Sequence, residues 1–259
     1  MLQDIGTLMK LMENTMPINV LIPMAGAGSR FKKAGFKKPK PLIDVDGIPM
    51  IQRVVENINM PLANHIFIVQ EQHIVENPEI KKYLENCVKT ATVIEISGLT
   101  EGAACTTLLA KHTFDDNNPL IICNADQWVD WNSSHFLNFA SNYDGAIPYF
   151  LSDSPKHSYS RVDFNTKTVV QVAEKQVISN FATVGIYYWK TGKMYIECAE
   201  KMIQKNVRFN NEFYICPVYN ELIHHFGGKV TPYPVFEMRG MGTPEELDSF
   251  LEKLRIESK

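Results

Sequence analysis

The chain has 259 residues, 45% hydrophobic and 21% charged, with a formal net charge of −3. That length buries a sizeable core, and the mild acidity argues against a general nucleic-acid binder. Five scattered cysteines without a CxxC or HExxH pattern point to free thiols in a reducing cytosol and give no support for zinc. No apolar run approaches membrane-spanning length, and the start, with Asp4, lacks a signal-type core, so the expectation is a cytoplasmic protein without a membrane partner.

Residues 1–17 place Leu2, Ile5, Leu8, Met9 and Met12 at helical spacing before Pro17. This predicts a short amphipathic extension packed on the body or on a second copy in a homodimer, with a frayed tail as the alternative. Residues 18–259 read as one domain.

The domain opens with Ile18 to Met24, an apolar run of the length and branching of a buried strand. A small turn follows, Ala25-Gly26-Ala27-Gly28-Ser29. Gly26 and Gly28 let backbone N–H groups approach an anion and take positive φ without steric cost, which makes the turn a phosphate cradle. Positive charge comes next, at Arg30, Lys32, Lys33, Lys37, Lys38 and Lys40. Concentrated in one stretch of a mildly acidic chain, it suits a small polyanion such as a nucleoside triphosphate. Pro39 and Pro41 flank Lys40 and predict a stiff, extended segment that fixes its position. Phe31 stands where a dinucleotide fingerprint needs its third glycine, and no Gly-Lys-Ser/Thr ends the loop as in a Walker A motif.

This succession, matched at Gly26, Gly28, Ser29, Arg30, Pro39, Lys40 and Leu42, resembles the signature of the nucleotidyltransferases that make NDP-sugars and related activated molecules. The pattern is Gly-x-Gly-(Ser/Thr)-Arg, a spacer, then Pro-Lys-x-Leu. The resemblance runs from about Ile18 to Leu251. It implies a three-layer α/β/α fold with a Rossmann-like, mostly parallel sheet, a nucleotide-binding half over 18–144 and an acceptor-binding half over 145–259.

Further elements fit that frame. Ile43 to Pro49 reads as a short strand and turn, Met50 to Ile58 as a helix, Ile66 to Val69 as a strand, Pro78 to Cys87 as a helix, and Thr92 to Ile96 as a strand. Alternation of this kind implies a parallel, doubly wound sheet with ligands beyond its carboxyl ends. Small residues at Gly102 to Thr107 open a helix predicted over Ala103 to Lys111. In the family the corresponding segment lies against the nucleobase, so Gly102 carries that expectation, with tight helix packing as the alternative.

Pro119 to Cys123 is a strand, and a carboxylate just past it, Asp126, is placed to hold Mg²⁺ against phosphates or to cap the next helix. The resemblance implies the metal role. Asp130 reads as a further ligand or a turn residue. From Gly145 onward, strands predicted at Ala146 to Phe150, Arg161 to Phe164, Val169 to Ala173 and Thr183 to Trp189 suggest a mixed sheet added to the parallel core.

Glu174-Lys175, followed by Ser179 to Tyr187, resembles the family's second signature. It implies acceptor binding by Glu174, Lys175, Asn180 and Gly185, the Lys at a phosphate and the Glu at hydroxyls. Lys193 to Lys205 is predicted helical. Asn211 and Glu212 read as a helix entry, or as acceptor recognition by Glu212 with Tyr214. Lys229 to Phe236 is a last strand, and Pro244 to Leu254 a closing helix capped by Thr243.

Many relatives carry an Asp metal ligand at the place of Gly240. The expectation is therefore one protein carboxylate, with triphosphate oxygens completing the shell, or substitution by Glu237 or Asp130.

The expected reaction joins a nucleoside triphosphate to a phosphorylated small molecule and releases pyrophosphate. Met24, Ala25, Gly26, Ala27, Gly28 and Ser29 would hold the nucleotide, Arg30 and Lys40 would be catalytic, and Asp126 would bind Mg²⁺. The acceptor is a sugar 1-phosphate, or phosphocholine or phosphoglutamine with CTP as in bacterial surface-polysaccharide enzymes that the pattern also resembles. A non-catalytic nucleotide-binding regulator and a glycosyltransferase of the same broad fold are the alternatives; the absence of Asp-x-Asp, with Trp128 in its place, disfavours the latter.

Overall fold

The computed structural model describes residues 18–114 and 116–258. The helix predicted over residues 1–17 lies outside them. In chain order the first half comprises β1 (Asn19–Pro23), α1 (Ser29–Lys33), a hairpin of β2 (Asp44–Val45) and β3 (Ile48–Pro49), α2 (Met50–Ile58), β4 (Asn64–Gln70), α3 (Glu71–Glu76), α4 (Glu79–Asn86), β5 (Ala91–Ile96), α5 (Ala103–Leu108) and β6 (Leu120–Cys123). The second half adds β7 (Gln127–Asp130), α6 (Ser133–Ala140), β8 (Gly145–Leu151), β9 (Tyr159–Asp163), β10 (Thr168–Ala173), β11 (Phe181–Thr183), β12 (Ile186–Trp189), α7 (Gly192–Gln204), α8 (Val218–His224), β13 (Val230–Pro234), β14 (Glu237–Gly240) and α9 (Pro244–Glu257).

Strands that are apolar on both faces must be covered on both faces. β1 obeys this rule: Val20 and Ile22 join one core, Leu21 the other. The first core receives α2 through Ile51, Val54, Val55 and Ile58, and α9 through Leu247 and Phe250. The second receives α7 and α8 through Tyr195, Cys198, Tyr219 and Leu222. The result is the expected three-layer α/β/α arrangement around a ten-stranded sheet. β5, β4, β1 and β6 run parallel, β12 is antiparallel to β6, and the sheet continues through β8, β11, β9 and β10, with β13 parallel to β8. The carboxyl ends of β1 and β6 therefore face the same edge as the glycine turn.

Several elements differ from the sequence expectation. The strand predicted over Thr183 to Trp189 is two strands, β11 and β12, because Gly185 breaks it at φ +73°. The helix entry predicted at Asn211 is a tight turn. Asn210 and Asn211 take φ of 46° and 63°, and Phe209 and Glu212 exchange both backbone hydrogen bonds. Asn tolerates that left-handed region, so the pair stops the chain from entering a helix until after Pro217. α5 ends at Leu108, short of Lys111, and α3 was not predicted. β7 and β14 form a separate antiparallel ribbon pairing Gln127 with Gly240 and Asp130 with Glu237. α9 begins as predicted, with Thr243 Oγ1 accepting the Glu246 N–H at 3.2 Å and Pro244 at the first helical position.

Candidate active site

A cavity of about 680 Å³ opens at the carboxyl ends of the central strands. Met24, Ala25, Gly26, Ala27, Gly28, Ser29, Arg30, Lys40, Gly102, Asp126, Glu174, Lys175, Gly185, Glu212 and Tyr214 all line it. Asn180 does not. It is exposed, and its carbonyl accepts the Ser152 N–H at 3.1 Å.

The turn after β1 is anchored where it begins. The Met24 N–H donates to the Ile68 carbonyl at 2.9 Å, and Gln70 Nε2 donates to the Ala25 carbonyl. Nothing lies within 4 Å of where a Gly26 Cβ would stand, so this glycine faces open cavity space. Gly28, at φ +61°, turns the chain into α1, which Phe31 anchors in the core while Arg30 stays exposed at the cavity.

Lys40 departs from the extended segment expected. Pro39 is extended, but Lys40 to Leu42 form a 3-10 turn closed by the Leu42 N–H on the Pro39 carbonyl at 2.9 Å. Pro41 fits there because its fixed φ suits the start of a helical turn, where its missing N–H loses nothing. The buried Pro41 and Leu42 pin the turn, and the Lys40 ammonium donates to Asp126 Oδ2.

Asp126 follows β6, and its carbonyl accepts the Met241 N–H at 2.7 Å, which ties it to the link between β14 and α9. In that link, a Cβ on Gly242 would stand 2.8 Å from Asp126 Oδ2 and 3.2 Å from Glu246 Oε2. A Cβ on Gly240 would stand 3.1 Å from Glu246 Oε2. The two glycines keep open a small space bounded by carboxylate oxygens, the hard donors that Mg²⁺ prefers. Among the described residues no three His, Cys, Asp or Glu side chains converge as a metal centre. Such a site suits a cation that takes its other ligands from phosphates and water. Neither substitute named from sequence reaches it. Glu237 faces away in ion pairs with Arg239 and Lys253, and Asp130 is exposed at the far end of the ribbon.

On the opposite wall, Lys175 takes φ +50° and donates to Tyr214 Oη at 3.0 Å, its ammonium 4.8 Å from the Tyr214 ring and 5.9 Å from the Phe209 ring. Glu174 is 9% exposed, and Ser158 Oγ donates to it. Burial pushes its carboxyl above the usual carboxylate range, partly offset by Ser158 and Lys175. Two of the glycines are required by packing. A Cβ on Gly102 would meet the Phe213 backbone at 2.5 Å, and one on Gly185 would meet Asn124 Nδ2 at 2.3 Å.

Sequence reasoning missed Lys156, His157, Ser158, Gln127 and Glu246, which also line the cavity. The first three sit between β8 and β9 with no motif around them. Glu246 was hidden by its place three residues after Thr243, a spacing that reads as a capping box.

A glycine turn, a fixed Lys–Asp pair and a second fixed Lys around one cleft of a three-layer α/β/α fold define a nucleotidyltransferase-type protein. The nucleotidyl transferase family model matches residues 19–219. The chain belongs to this family, whose enzymes transfer nucleotidyl groups with release of pyrophosphate. It is 25% identical over 175 residues to the bifunctional protein GlmU of Methanococcus maripaludis, covering 66% of this chain and 39% of that protein. It is 24% identical over 184 residues to the mannose-1-phosphate guanylyltransferase regulatory subunit alpha-A of Danio rerio, covering 65% of this chain and 43% of that one. The chain thus spans about two-fifths of the curated relatives it matches. Among solved structures, a nucleoside-diphosphate-sugar pyrophosphorylase from Vibrio cholerae superposes with a TM-score of 0.78 at 25% identity, over 90% of this chain and 99% of that one. The inositol-1-phosphate CTP transferase of T. maritima shares the fold with a TM-score of 0.69 at 15% identity, over 93% of this chain and 97% of that one.

Proposed function

We propose that the chain transfers the nucleotidyl group of a nucleoside triphosphate to a phosphorylated small molecule and releases pyrophosphate. One observation carries this reading: the glycine turn, Arg30, the Lys40–Asp126 pair and Lys175 line a single cavity. An acceptor phosphate oxygen attacks the α-phosphorus in line, a new P–O bond forms, and the bond to the bridging oxygen of pyrophosphate breaks.

In this reading Met24 to Ser29 hold the triphosphate, Gly102 lies by the base, and Arg30 takes the departing pyrophosphate. Lys40 neutralises charge at the α-phosphate from a turn already ordered in the fold, so little ordering is left for the reacting state. Lys175 takes the acceptor phosphate, while Glu174 and Glu212 take its hydroxyl or amine groups. Mg²⁺, used generally in the family, would be held by Asp126 and would neutralise phosphate charge. Asn180, outside the cavity, has no part in this assignment.

The acceptor is a sugar 1-phosphate, or a non-sugar such as phosphocholine or phosphoglutamine with CTP, and the product feeds surface-polysaccharide assembly in the cytoplasm. The test is pyrophosphate release with Mg²⁺, pairing ATP, CTP, GTP, UTP and dTTP with sugar 1-phosphates, phosphocholine and phosphoglutamine. One active pair supports the reading and names both substrates. Nucleotide binding without turnover on any pair would favour a regulator, in keeping with the Danio rerio relative, a regulatory subunit.

A further inference from the structure

We infer that Glu246, on the first turn of α9, is the second protein carboxylate of the metal site, sharing one cation with Asp126. This assignment rests on the metal-dependent reading above. Its geometric basis is the space over Gly242, which is flanked on one side by Asp126 Oδ2 and on the other by Glu246 Oε2. A side chain at position 242 would fill that space. Position 240 also lacks a side chain, and the Glu246 carboxylate occupies the region into which one would project.

Two constraints aim Glu246 at this point. The helix start is fixed by Thr243, so the direction of position 246 is set by the backbone. Glu246 Oε2 accepts the Gly242 N–H at 3.0 Å, while its Oε1 makes no hydrogen bond among the described residues. In a capping box the carboxylate returns to the N-cap N–H. Here it goes one residue further back, to the wall of the cavity that it lines. Of the ribbon's acidic side chains, Glu237 is committed to Arg239 and Lys253, and Asp130 is exposed at the far end.

The arrangement is chemically consistent with a cation that carries phosphates. Asp126 alone is neutralised by Lys40 in the ligand-free protein. A second carboxylate restores net negative charge at the site, and carboxylate count is what tunes affinity for hard divalent cations.

The test is a titration of the full chain with Mn²⁺ alone, following free Mn²⁺ by electron paramagnetic resonance, beside thermal unfolding of the metal-free proteins. Glu246→Gln keeps an oxygen for the Gly242 N–H and removes the charge. Gly242→Ala places a methyl in the shared space, at a residue whose φ is not in the positive range, so that the backbone tolerates it while the carboxylate ends of Asp126 and Glu246 must move apart. Both variants are expected to weaken Mn²⁺ binding about tenfold or more with unchanged metal-free unfolding. Asp126→Asn is expected to do the same. If Asp126→Asn weakens Mn²⁺ binding while Glu246→Gln and Gly242→Ala leave it unchanged, Glu246 is a helix cap only and its assignment to the metal falls alone. If Asp126→Asn also leaves it unchanged, the metal site proposed above falls with it.

Discussion

Lys40 and Asp126, 86 residues apart in the chain, form an ion pair in which the two side chains are only 25% and 27% exposed. The pair orders both charges before any ligand arrives, the cation on a proline-braced turn and the anion at the end of a central strand. Lys40→Ala is expected to cut the rate of pyrophosphate release about a hundredfold or more. Its Mn²⁺ affinity should rise, because Asp126 loses a competing cation. Turnover within a few-fold of the parent protein would remove Lys40 from the reaction.

Metal removal separates chemistry from folding. A chelator is expected to stop pyrophosphate release, and Mg²⁺ to restore it, with no change in the unfolding temperature of the ligand-free protein. The core clusters do not depend on the cation: Asp126 is already paired with Lys40, and its backbone carbonyl is held by Met241. Activity that survives exhaustive chelation would refute the dependence.

The fold was legible wherever the signal was local. Val20 to Ile22, Ile66 to Val69 and Leu120 to Cys123 are apolar on both faces, and such runs have no other stable place than a covered strand. The glycine turn was legible for the same reason; the prolines around Lys40 signalled a braced segment, but its 3-10 conformation was not read from them. What escaped depended on contacts between distant segments. No local pattern says that β14 will pair with β7 and carry Gly242 to Asp126, and so nothing in the sequence singled out Glu246. Nor does it say that Gly185 must break a strand because Asn124 and Gln127 occupy the place of its side chain. The two asparagines before Glu212 carried the signal of a cap and of a left-handed turn alike, and only the fold decided between them.

Gly185→Ala is expected to destabilise the protein without removing any polar group. A left-handed φ costs an L-residue about 1–2 kcal/mol. The new Cβ would also overlap Asn124 Nδ2 at 2.3 Å and Gln127 Oε1 at 2.4 Å, side chains on the loop that carries Asp126. The unfolding temperature should fall by more than about 4 °C. Turnover should fall too, since relieving the overlap displaces that loop. A fall of under about 1 °C would show that the loop yields freely.

Lys175→Met tests the acceptor wall. Methionine keeps an unbranched side chain of similar length beside Tyr214 and Phe209 and removes the charge that faces their rings. The KM for the acceptor should rise at least about tenfold with nucleotide binding unchanged, because a charged hydrogen bond to phosphate contributes about 1.5–3 kcal/mol. An unchanged acceptor KM would place the acceptor phosphate elsewhere in the cavity.

Glu174 connects that wall to pH. Burial raises its carboxyl pKa from the ordinary value, against smaller opposing effects of Ser158 and Lys175. The folded protein therefore holds this proton more tightly than the unfolded chain does. Its contribution to stability is fully present below the unfolded value, about 4.3, and is lost as pH rises through the higher folded value. At neutral pH the buried carboxylate thus costs stability that an isosteric amide does not. Glu174→Gln is expected to gain in unfolding temperature relative to the parent protein as pH rises above the ordinary carboxylate range, and the difference should vanish toward about pH 4. The same variant should bind the acceptor more weakly, because the charged hydrogen-bond acceptor is gone. Unfolding temperatures measured across that range decide the matter: a constant offset would mean that the substitution acts through packing, and a lower stability at neutral pH would mean that the surrounding groups favour the charged carboxylate.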